Sequence, residues 1–505
     1  MSKDSYSRII KSSSIVGGAQ LLNMLIGMVR IKFVAVLIGP AGFGLLNLYQ
    51  TIIQMVSIIA GLGLRSSAVR EIAQGFADED QDAVACSVLS LRRMCWLNGA
   101  LGAVAIVVFS SQLSQLTFGD TSHAGRVSFA GIAVFFMNLQ AGQMAVIQGA
   151  RRIGDLAKIN VLGATIGSVF SIGLYYWLGV DGIVPAIIAL AATQLMVSYL
   201  FVRKVVLPEI EMTWLQSFKH AGGMLRLGVV FMWNGLLVAA VTYLTRIIIG
   251  YEIDLEAVGI YAAAFAMSGM VVNFVLSAMS ADYLPALSAV ASDHRKMREL
   301  ANQQTEIGLL LALPGLLATL ALAPWVIQLF YSAEFAQAGD LLRWFVLGCF
   351  GRVITWPIGF IFVAKGMGKT FAALQTGASA LHIALILLGL HLFGLVGTAI
   401  AFFTMNIALA FACLLLSRMR AEFYWSRSVV RLLALILPLV AATFLLQVWL
   451  PSLPALAFGV IVSAFSGVFC LRGLAMRLGP EHKVCRVVSR IPVLKNLILS
   501  DRECL

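Results

Sequence analysis

Four basic side chains lie inside long apolar stretches of this sequence. Arg30 and Lys32 interrupt the run LIGMVRIKFVAVLIG, and Arg246 and Arg352 interrupt two later runs. Each such cation would cost about 2.5–3.5 kcal/mol at the centre of a lipid bilayer. We therefore expect them to avoid lipid. Inside a polar cavity, an arginine could bind phosphate oxygens through paired hydrogen bonds.

The arginines share helical faces with small and polar residues. Spacings of three, four and seven residues put Arg30 on one stripe with Gln20 and Asn23. Arg246 and Arg352 lie on comparable stripes of later helices. This pattern predicts a polar cavity. The uncharged residues predicted to line it are Gln20, Asn23, Asn138, Thr242 and Thr355.

Few acidic residues are available to neutralise these arginines. No predicted span carries Asp or Glu near its middle, and Asp282 and Glu306 lie at span ends. An anion-binding cavity is therefore one interpretation of Arg30 and Arg246. The alternative is that they reach the membrane surface or bond to backbone carbonyls. Lys32 lies about 200° further round the helix than Arg30 and is expected to point elsewhere, toward the headgroups.

The composition is that of a protein whose helices are surrounded by lipid. Of 505 residues, 60% are hydrophobic and only 12% are charged, whereas a soluble protein carries about 25% charged residues. About 20 apolar residues suffice for one helical crossing of a bilayer. The sequence predicts an all-α integral membrane protein with about fourteen transmembrane helices. The first apolar run is too long for a signal peptide and is expected to remain as the first span.

The spans form an internal repeat in which spans 1–6 resemble spans 7–12. Arg246 follows Arg30 by 216 residues, and Gly394 follows Gly182 by 212. Since six is an even number, both halves enter the membrane from the same side. This predicts two parallel six-helix bundles around a central cavity, plus two extra C-terminal helices. The predicted segments are a cytoplasmic N-terminus at 1–12, bundles at 13–202 and 224–416, a linker at 203–223, the additional helices at 430–471 and a basic cytoplasmic tail at 472–505.

The basic residues alternate between the loops. Most of the 36 Lys and Arg residues fall in loops on the side of the N-terminus, or in the C-terminal tail. Because Lys and Arg in short loops mark the cytoplasmic side, both termini are predicted to be cytoplasmic. The net charge of +12 therefore indicates membrane topology, and we expect no nucleic acid partner. The tail is expected to lie on the anionic inner lipid surface, with docking of a partner as the alternative.

Two N-terminal segments carry a family resemblance. VRIKFVAVLIGPAGFGLLNLYQ follows the first span and GLGLRSSAVREIA follows the second, and DYLPALSAVA occupies the matching place in the second half. Together with the six-plus-six repeat, they resemble the polysaccharide translocases, the Wzx-type O-antigen flippases of the multidrug/oligosaccharidyl-lipid/polysaccharide exporter superfamily. Lipid II flippases are cousins with fourteen spans, but their Arg-Asp pair is absent here, since Ile31 follows Arg30.

The resemblance implies a transporter in the bacterial inner membrane. Such proteins turn an undecaprenyl-diphosphate-linked oligosaccharide from the cytoplasmic to the periplasmic leaflet by alternating access, without hydrolysing ATP. Membrane lipids and the polysaccharide polymerase or ligase machinery are implied as further partners. The residues that the resemblance implies for diphosphate binding are Arg30 and Arg246, followed by Arg65 and Arg352.

Three alternatives remain open at this stage. A small-molecule exporter of the same superfamily would need an acidic residue at membrane depth. A lipid II flippase would use the extra pair of helices as a groove for the lipid tail. A non-transporting scaffold for polysaccharide synthesis would tolerate replacement of the interior arginines.

Motifs for catalysis or cofactor binding are not convincing in this sequence. GMGKT at 366–370 resembles a phosphate-binding loop, but Val363 stands where its first glycine belongs. The seven cysteines and six histidines lack metal-site spacing. We therefore expect no catalytic residues, no metal site, no cofactor and no disulfide.

Overall fold

The computed structural model describes residues 3–449 and 452–478, with side chains from Gly18 to Leu474 apart from a few within the range. Its described residues form sixteen α-helices and two short 3-10 turns. The helices are α1 Lys3–Gly61, α2 Leu64–Ala77, α3 Gln81–Val108, α4 Ser110–Phe118, α5 Ala124–Gly149, α6 Ile153–Leu178, α7 Ile183–Val202, α8 Trp214–Glu252, α9 Leu255–Ala289, α10 His294–Ala321, α11 Ala323–Phe330, α12 Ala338–Ala364, α13 Gly368–Phe393, α14 Leu395–Ala421, α15 Arg427–Trp449 and α16 Ser452–Leu478.

Twelve stretches of the described chain are long and apolar enough to cross a membrane. Two of them, Gly18–Gly61 with 44 residues and Ile153–Val202 with 50, are about twice as long as one crossing requires. Both are interrupted, the first at Gly39 and the second at Gly179. The predicted all-helical membrane fold is confirmed, and the twelve stretches are consistent with about fourteen crossings.

The break within α1 follows from two adjacent residues. Gly39 has φ 64° and ψ −177°, which is outside the helical region and is readily adopted only by glycine. Pro40 follows it and has no N–H to donate, so no helical hydrogen bond is lost there. A few residues further on, an added Cβ at Gly44 would lie 2.0 Å from the carbonyl oxygen of Leu255. The chain therefore turns at Gly39, and Gly44 lets α1 cross α9 with their backbones in contact.

The internal repeat is visible in the helix ends, with one change of register. Gly179 (φ 56°, ψ −130°) ends α6, and Gly394 (φ 59°, ψ −145°), which follows it by 215 residues, ends α13 in the same conformation. Gly182 therefore corresponds to Gly397 and not, as predicted, to Gly394. An added Cβ at either residue would meet a backbone oxygen, that of Leu174 or of Gly389, which are also 215 apart. The shift brings this landmark closer to the offset of the others.

The chain divides into two compact units. The first contains residues 1–259 and 330–334, and the second contains residues 260–329 and 335–505. Helix α8, which the repeat places at the start of the second half, makes its contacts in the first unit, packing on α1, α2 and α3. The predicted segment bounds remain predictions. Residues 479–505 of the predicted basic tail lie outside the described residues.

Candidate functional site

The first unit encloses a cavity with many polar side chains in its wall. Its volume is about 390 Å³, and it is bounded by residues of α1, α2, α3, α5, α7 and α8. A smaller cavity of about 190 Å³ shares Gln140 and Gln194 with it. The polar residues around the two are Asn23, Gln54, Ser57, Arg65, Ser66, Asn98, Asn138, Gln140, Asn160 and Gln194.

Three polar atoms in these walls have no hydrogen-bond partner among the described residues. They are Oδ1 of Asn23, Oγ of Ser57 and Nδ2 of Asn98, and all three are buried. An unsatisfied buried polar group costs about 1–3 kcal/mol. They are closed off from the cavities in this conformation, so water or a polar ligand can reach them only when the surrounding side chains move.

Arg65 lines the larger cavity because the chain breaks just before it. Leu62 and Gly63 have positive φ angles of 47° and 65°, so α1 ends and α2 begins at Leu64. The break is held against α8, since an added Cβ at Gly63 would lie 2.0 Å from the oxygen of Gly228. Helix interruptions of this kind are a recurring feature of transporter binding sites.

The other two arginines predicted in the first unit do not line these cavities. Arg30 is half-buried on α1, near the buried Tyr175 of α6. Arg246 on α8 donates hydrogen bonds to the backbone oxygen of Asn47, at 3.0 Å, and to the hydroxyl of Thr51. In this conformation Arg246 thus links α8 to α1. This is the arrangement of the alternative interpretation, in which the arginine bonds to backbone carbonyls.

Two of the predicted uncharged lining residues are satisfied within their own helices. Thr242 donates to the oxygen of Val238 at 2.8 Å, and Thr355 donates to the oxygen of Gly351 at 3.0 Å. Gln20 is exposed on α1 and is outside both linings. Asn23 and Asn138 are in the cavity walls as expected.

Arg352 and Lys32 have separate surroundings. Arg352 is exposed on α12 in the second unit. Lys32 of α1 donates to the backbone oxygen of Tyr331, in the segment 330–334 that packs with the first unit. Arg65 and Asn138 therefore line the larger cavity, Asn23 lines the smaller one, and the other predicted cations lie elsewhere.

Sequence reasoning missed several amides that complete the lining. Asn98, Asn160 and Gln194 each stand alone in an apolar helix. Their type was the available signal, since an amide in a membrane span is costly unless it faces other polar groups. The helical stripes of the predicted arginines do not include them.

The lining has a distinct chemical character. Amide side chains both donate and accept hydrogen bonds, which suits ligands rich in hydroxyl groups. Arg65 adds a permanent positive charge, and none of the described residues that line the two cavities is Asp or Glu. The arrangement is suited to a polar, uncharged or anionic ligand and offers no carboxylate to a cation.

The fold has relatives among solved transporters. One is an inward-facing multidrug resistance MATE family transporter of the MOP superfamily, with a TM-score of 0.67, 17% identity, and coverage of 80% of this chain and 94% of that one. Another, a MOP superfamily transporter from Pyrococcus furiosus, has a TM-score of 0.59, 16% identity, and coverage of 82% and 96%. These similarities support the transporter fold.

Sequence relatives are named as flippases. The lipid III flippase of Escherichia coli is 22% identical over 379 residues, which cover 71% of this chain and 85% of the flippase. The "Probable low-salt glycan biosynthesis flippase Agl15" of Haloferax volcanii is 21% identical over 386 residues, covering 74% and 75%. Residues 33–340, more than half of the chain, match the family described as "Polysaccharide biosynthesis protein". The chain therefore belongs to this family, as a multi-pass membrane protein of the flippase and transporter type.

Proposed function

We propose that this protein flips an undecaprenyl-diphosphate-linked oligosaccharide from the cytoplasmic to the periplasmic leaflet for the synthesis of an O-antigen-like surface polysaccharide. The family match and the flippase relatives support a lipid-linked saccharide as the substrate class. The oligosaccharide occupies the amide-lined cavities of the first unit. Its isoprenoid tail stays in the lipid. Polymerase or ligase machinery receives the product.

The amide-rich lining of the two cavities carries this proposal. Most of the polar residues around them are Asn or Gln. Sugar hydroxyls suit such a lining because each hydroxyl both donates and accepts hydrogen bonds, and an amide side chain can do the same. Asn23, Ser57 and Asn98 also hold polar atoms without a partner in the described structure, which lowers stability there, as is typical of binding sites.

The diphosphate is assigned first to Arg65. Its guanidinium is in the cavity wall beside the amides, and the described part of that wall holds no competing carboxylate. Arg30, on the same stripe of α1 as Asn23, is the second candidate. Arg246 becomes available only if its bonds to Asn47 and Thr51 open during the cycle. Arg352 is the weakest candidate because it is in the second unit.

The direction of transport follows from the charge pattern. We call the ends of the helices next to the basic loops the basic end. It carries Arg65, Arg151 and Arg203. By the positive-inside rule the basic end faces the cytoplasm. Substrate binds at Arg65 when the cavity opens to this side, and alternating access delivers it to the other leaflet.

The test uses the native host with the gene deleted. Lipid-linked oligosaccharide is quantified on each leaflet with an impermeant oxidant applied to intact and to opened cells, together with polymer at the surface. We expect the intermediate to accumulate on the cytoplasmic leaflet. Wild-type protein should relieve the accumulation and Arg65→Gln should not, at matched protein levels. Arg151→Gln, an exposed arginine outside both cavity linings, is the matched control.

The possible outcomes separate the function from the site. If deletion leaves the leaflet distribution and the surface polymer unchanged, the substrate class is wrong, and export of a small molecule becomes the better interpretation. If Arg65→Gln restores transport as well as wild type does, the function stands and the assignment of the diphosphate to Arg65 is wrong.

A further inference from the structure

A second, apolar groove lies on the first unit outside the candidate site. Its volume is about 640 Å³, within the range of about 300–1,000 Å³ for ligand pockets. It is formed by α3, α5, α7 and the segment that follows α7. Most of its lining is aliphatic or aromatic, and Trp96 and Met196 are 50% and 67% exposed. This groove is therefore accessible from the surface of the unit.

The groove does not lead into the cavity. Cys95 and Gly142 line both spaces and form the wall between them. An added Cβ at Gly142 would lie 2.7 Å from Sγ of Cys95, and one at Gly131 would lie 2.9 Å from the oxygen of Ala103. In this conformation the close contact of α3 and α5 separates the two spaces. A ligand of the groove therefore lies outside the candidate substrate site.

The corresponding region of the second unit contains larger apolar side chains. In the first unit, Val205 and Leu207 of the segment after α7 pack on a cluster that contains Leu91 and Val146. The helices that correspond to α3, α5 and α7 are α10, α12 and α14. Phe423 and Trp425, which follow α14, pack with α10 and α12 in one apolar cluster that also contains Trp356. Asn302 of α10 fixes this segment by donating to the oxygen of Tyr424 at 3.1 Å and accepting from the N–H of Ser426 at 2.7 Å. Helices α15 and α16 then pack on α10.

Two arginines mark one end of the groove of the first unit. Arg92 and Arg203 line it, both are exposed, and neither forms an ion pair with a carboxylate in the described structure. Arg203 lies over the ring of Tyr199, 5.6 Å from its centre. Basic pockets between transmembrane helices on the cytoplasmic side are characteristic sites for anionic lipid headgroups. The groove thus combines apolar walls with a cationic mouth at the basic end.

We infer that this groove holds one anionic phospholipid, with its phosphate between Arg92 and Arg203 and an acyl chain along α3 and α5. Where the second unit has Phe423 and Trp425, the first has the smaller Val205 and Leu207, and the lipid fills the groove that remains beside them. Its role is to complete the packing of the first unit. This inference does not depend on the transported substrate.

The experiment measures lipid binding to the purified full-length protein. Native mass spectrometry counts retained phosphatidylglycerol against phosphatidylcholine, and thermal unfolding is followed in phosphatidylcholine nanodiscs with and without phosphatidylglycerol. We expect wild type to retain phosphatidylglycerol selectively and to be stabilised by it. Arg92→Gln with Arg203→Gln should weaken this binding by about 30-fold, as expected for two cations at a membrane surface.

Two further variants make the result decisive. Arg70→Gln with Arg151→Gln removes the same charge from exposed residues outside the groove and should leave binding unchanged. Ala192→Trp keeps both arginines but fills the groove, and it should expel the lipid. Equal phosphatidylglycerol binding by wild type and both groove variants would overturn the inference. Displacement of phosphatidylglycerol by undecaprenyl diphosphate would instead identify the carrier lipid as the occupant and would also overturn it.

Discussion

The helices of the two units pack in different ways. In the second unit, Phe345 is fully buried among Tyr261, Phe265 and Phe402, with ring centroids 5.4–5.5 Å apart. In the first unit, the space between the helices is left open and lined by amides and Arg65. The first unit also breaks its helix at Leu62–Gly63, whereas α9, its counterpart in the repeat, continues from Leu255 to Ala289. The two halves of the repeat thus differ: the second contains a close-packed aromatic cluster, and the first contains a cavity next to a broken helix.

This difference assigns separate tasks to the two units. A close-packed aromatic core resists deformation and loses stability when it is opened. A cavity with unsatisfied amides costs stability but can bind a polar ligand. We therefore expect substitutions in the second unit to affect folding most, and substitutions around the cavity of the first unit to affect transport most.

The largest effect is expected for Phe345→Ala in the second unit. Removing this fully buried ring leaves a cavity among three aromatic neighbours, and Phe-to-Ala changes in cores cost about 3–5 kcal/mol. Thermal unfolding in detergent should show a strong loss of stability, while the folded fraction keeps its substrate affinity. Phe411→Ala is the control, because Phe411 is 71% exposed in the same unit. Equal stability of the two variants would mean that this core does not hold the second unit together.

A second large effect is expected for Gly63→Ala in the first unit. The left-handed backbone and the 2.0 Å approach to the oxygen of Gly228 leave no room for a methyl group. Strain of this kind and overpacking together cost about 2–4 kcal/mol. Size-exclusion chromatography and thermal unfolding should reveal the loss. Gly222→Ala on the same α8 helix is the control, since an added Cβ there meets nothing within 4 Å. A stable Gly63→Ala protein would show that the turn can move away from α8.

The fold could be predicted because it depends on patterns that are visible in the amino-acid sequence. Apolar runs and alternating basic loops indicated about fourteen spans, and glycine landmarks indicated the repeat. The exact register of the repeat could not be predicted from the sequence. Gly179 and Gly182 are equivalent as letters, and only their backbone angles show which of them ends a helix like Gly394.

The candidate site was only partly predictable. Of the predicted residues that line the cavities, Asn23 and Asn138 followed from helical position and residue type, and Arg65 was implied by the family resemblance. The hydroxyls of Thr242 and Thr355 bond to the preceding turn of their own helices, a local option that helical stripes do not reveal. The bond of Arg246 to the carbonyl of Asn47 joins residues 199 positions apart, so it depends on a helix crossing that sequence spacing does not encode.

An intermediate effect on substrate binding is expected for Arg65→Gln, and Arg352→Gln serves as the comparison. Arg65→Gln removes a charged partner of the proposed diphosphate, a loss of about 1.5–3 kcal/mol or roughly 10–100-fold in affinity. Arg352→Gln makes the same chemical change in the second unit and should have little effect. Binding of a fluorescent lipid-linked oligosaccharide to each purified variant measures the difference. Equal losses would mean that Arg65 has no special role in binding the diphosphate.

The smallest and most discriminating effect is expected for two asparagines. Asn98→Leu removes the unsatisfied Nδ2 from the cavity wall, so it should stabilise the protein by about 1 kcal/mol while weakening substrate binding. Asn406→Leu in the second unit removes a buried amide that donates to the oxygen of Phe402 at 2.8 Å, so it should destabilise by about 1 kcal/mol and leave binding unchanged. Measured on the same preparations, stability should therefore change in opposite directions for the two variants, and only Asn98→Leu should weaken binding. If Asn98→Leu lost stability as well as binding, Asn98 would be a structural residue, and the division of tasks between the units would fail at the residue that expresses it most directly.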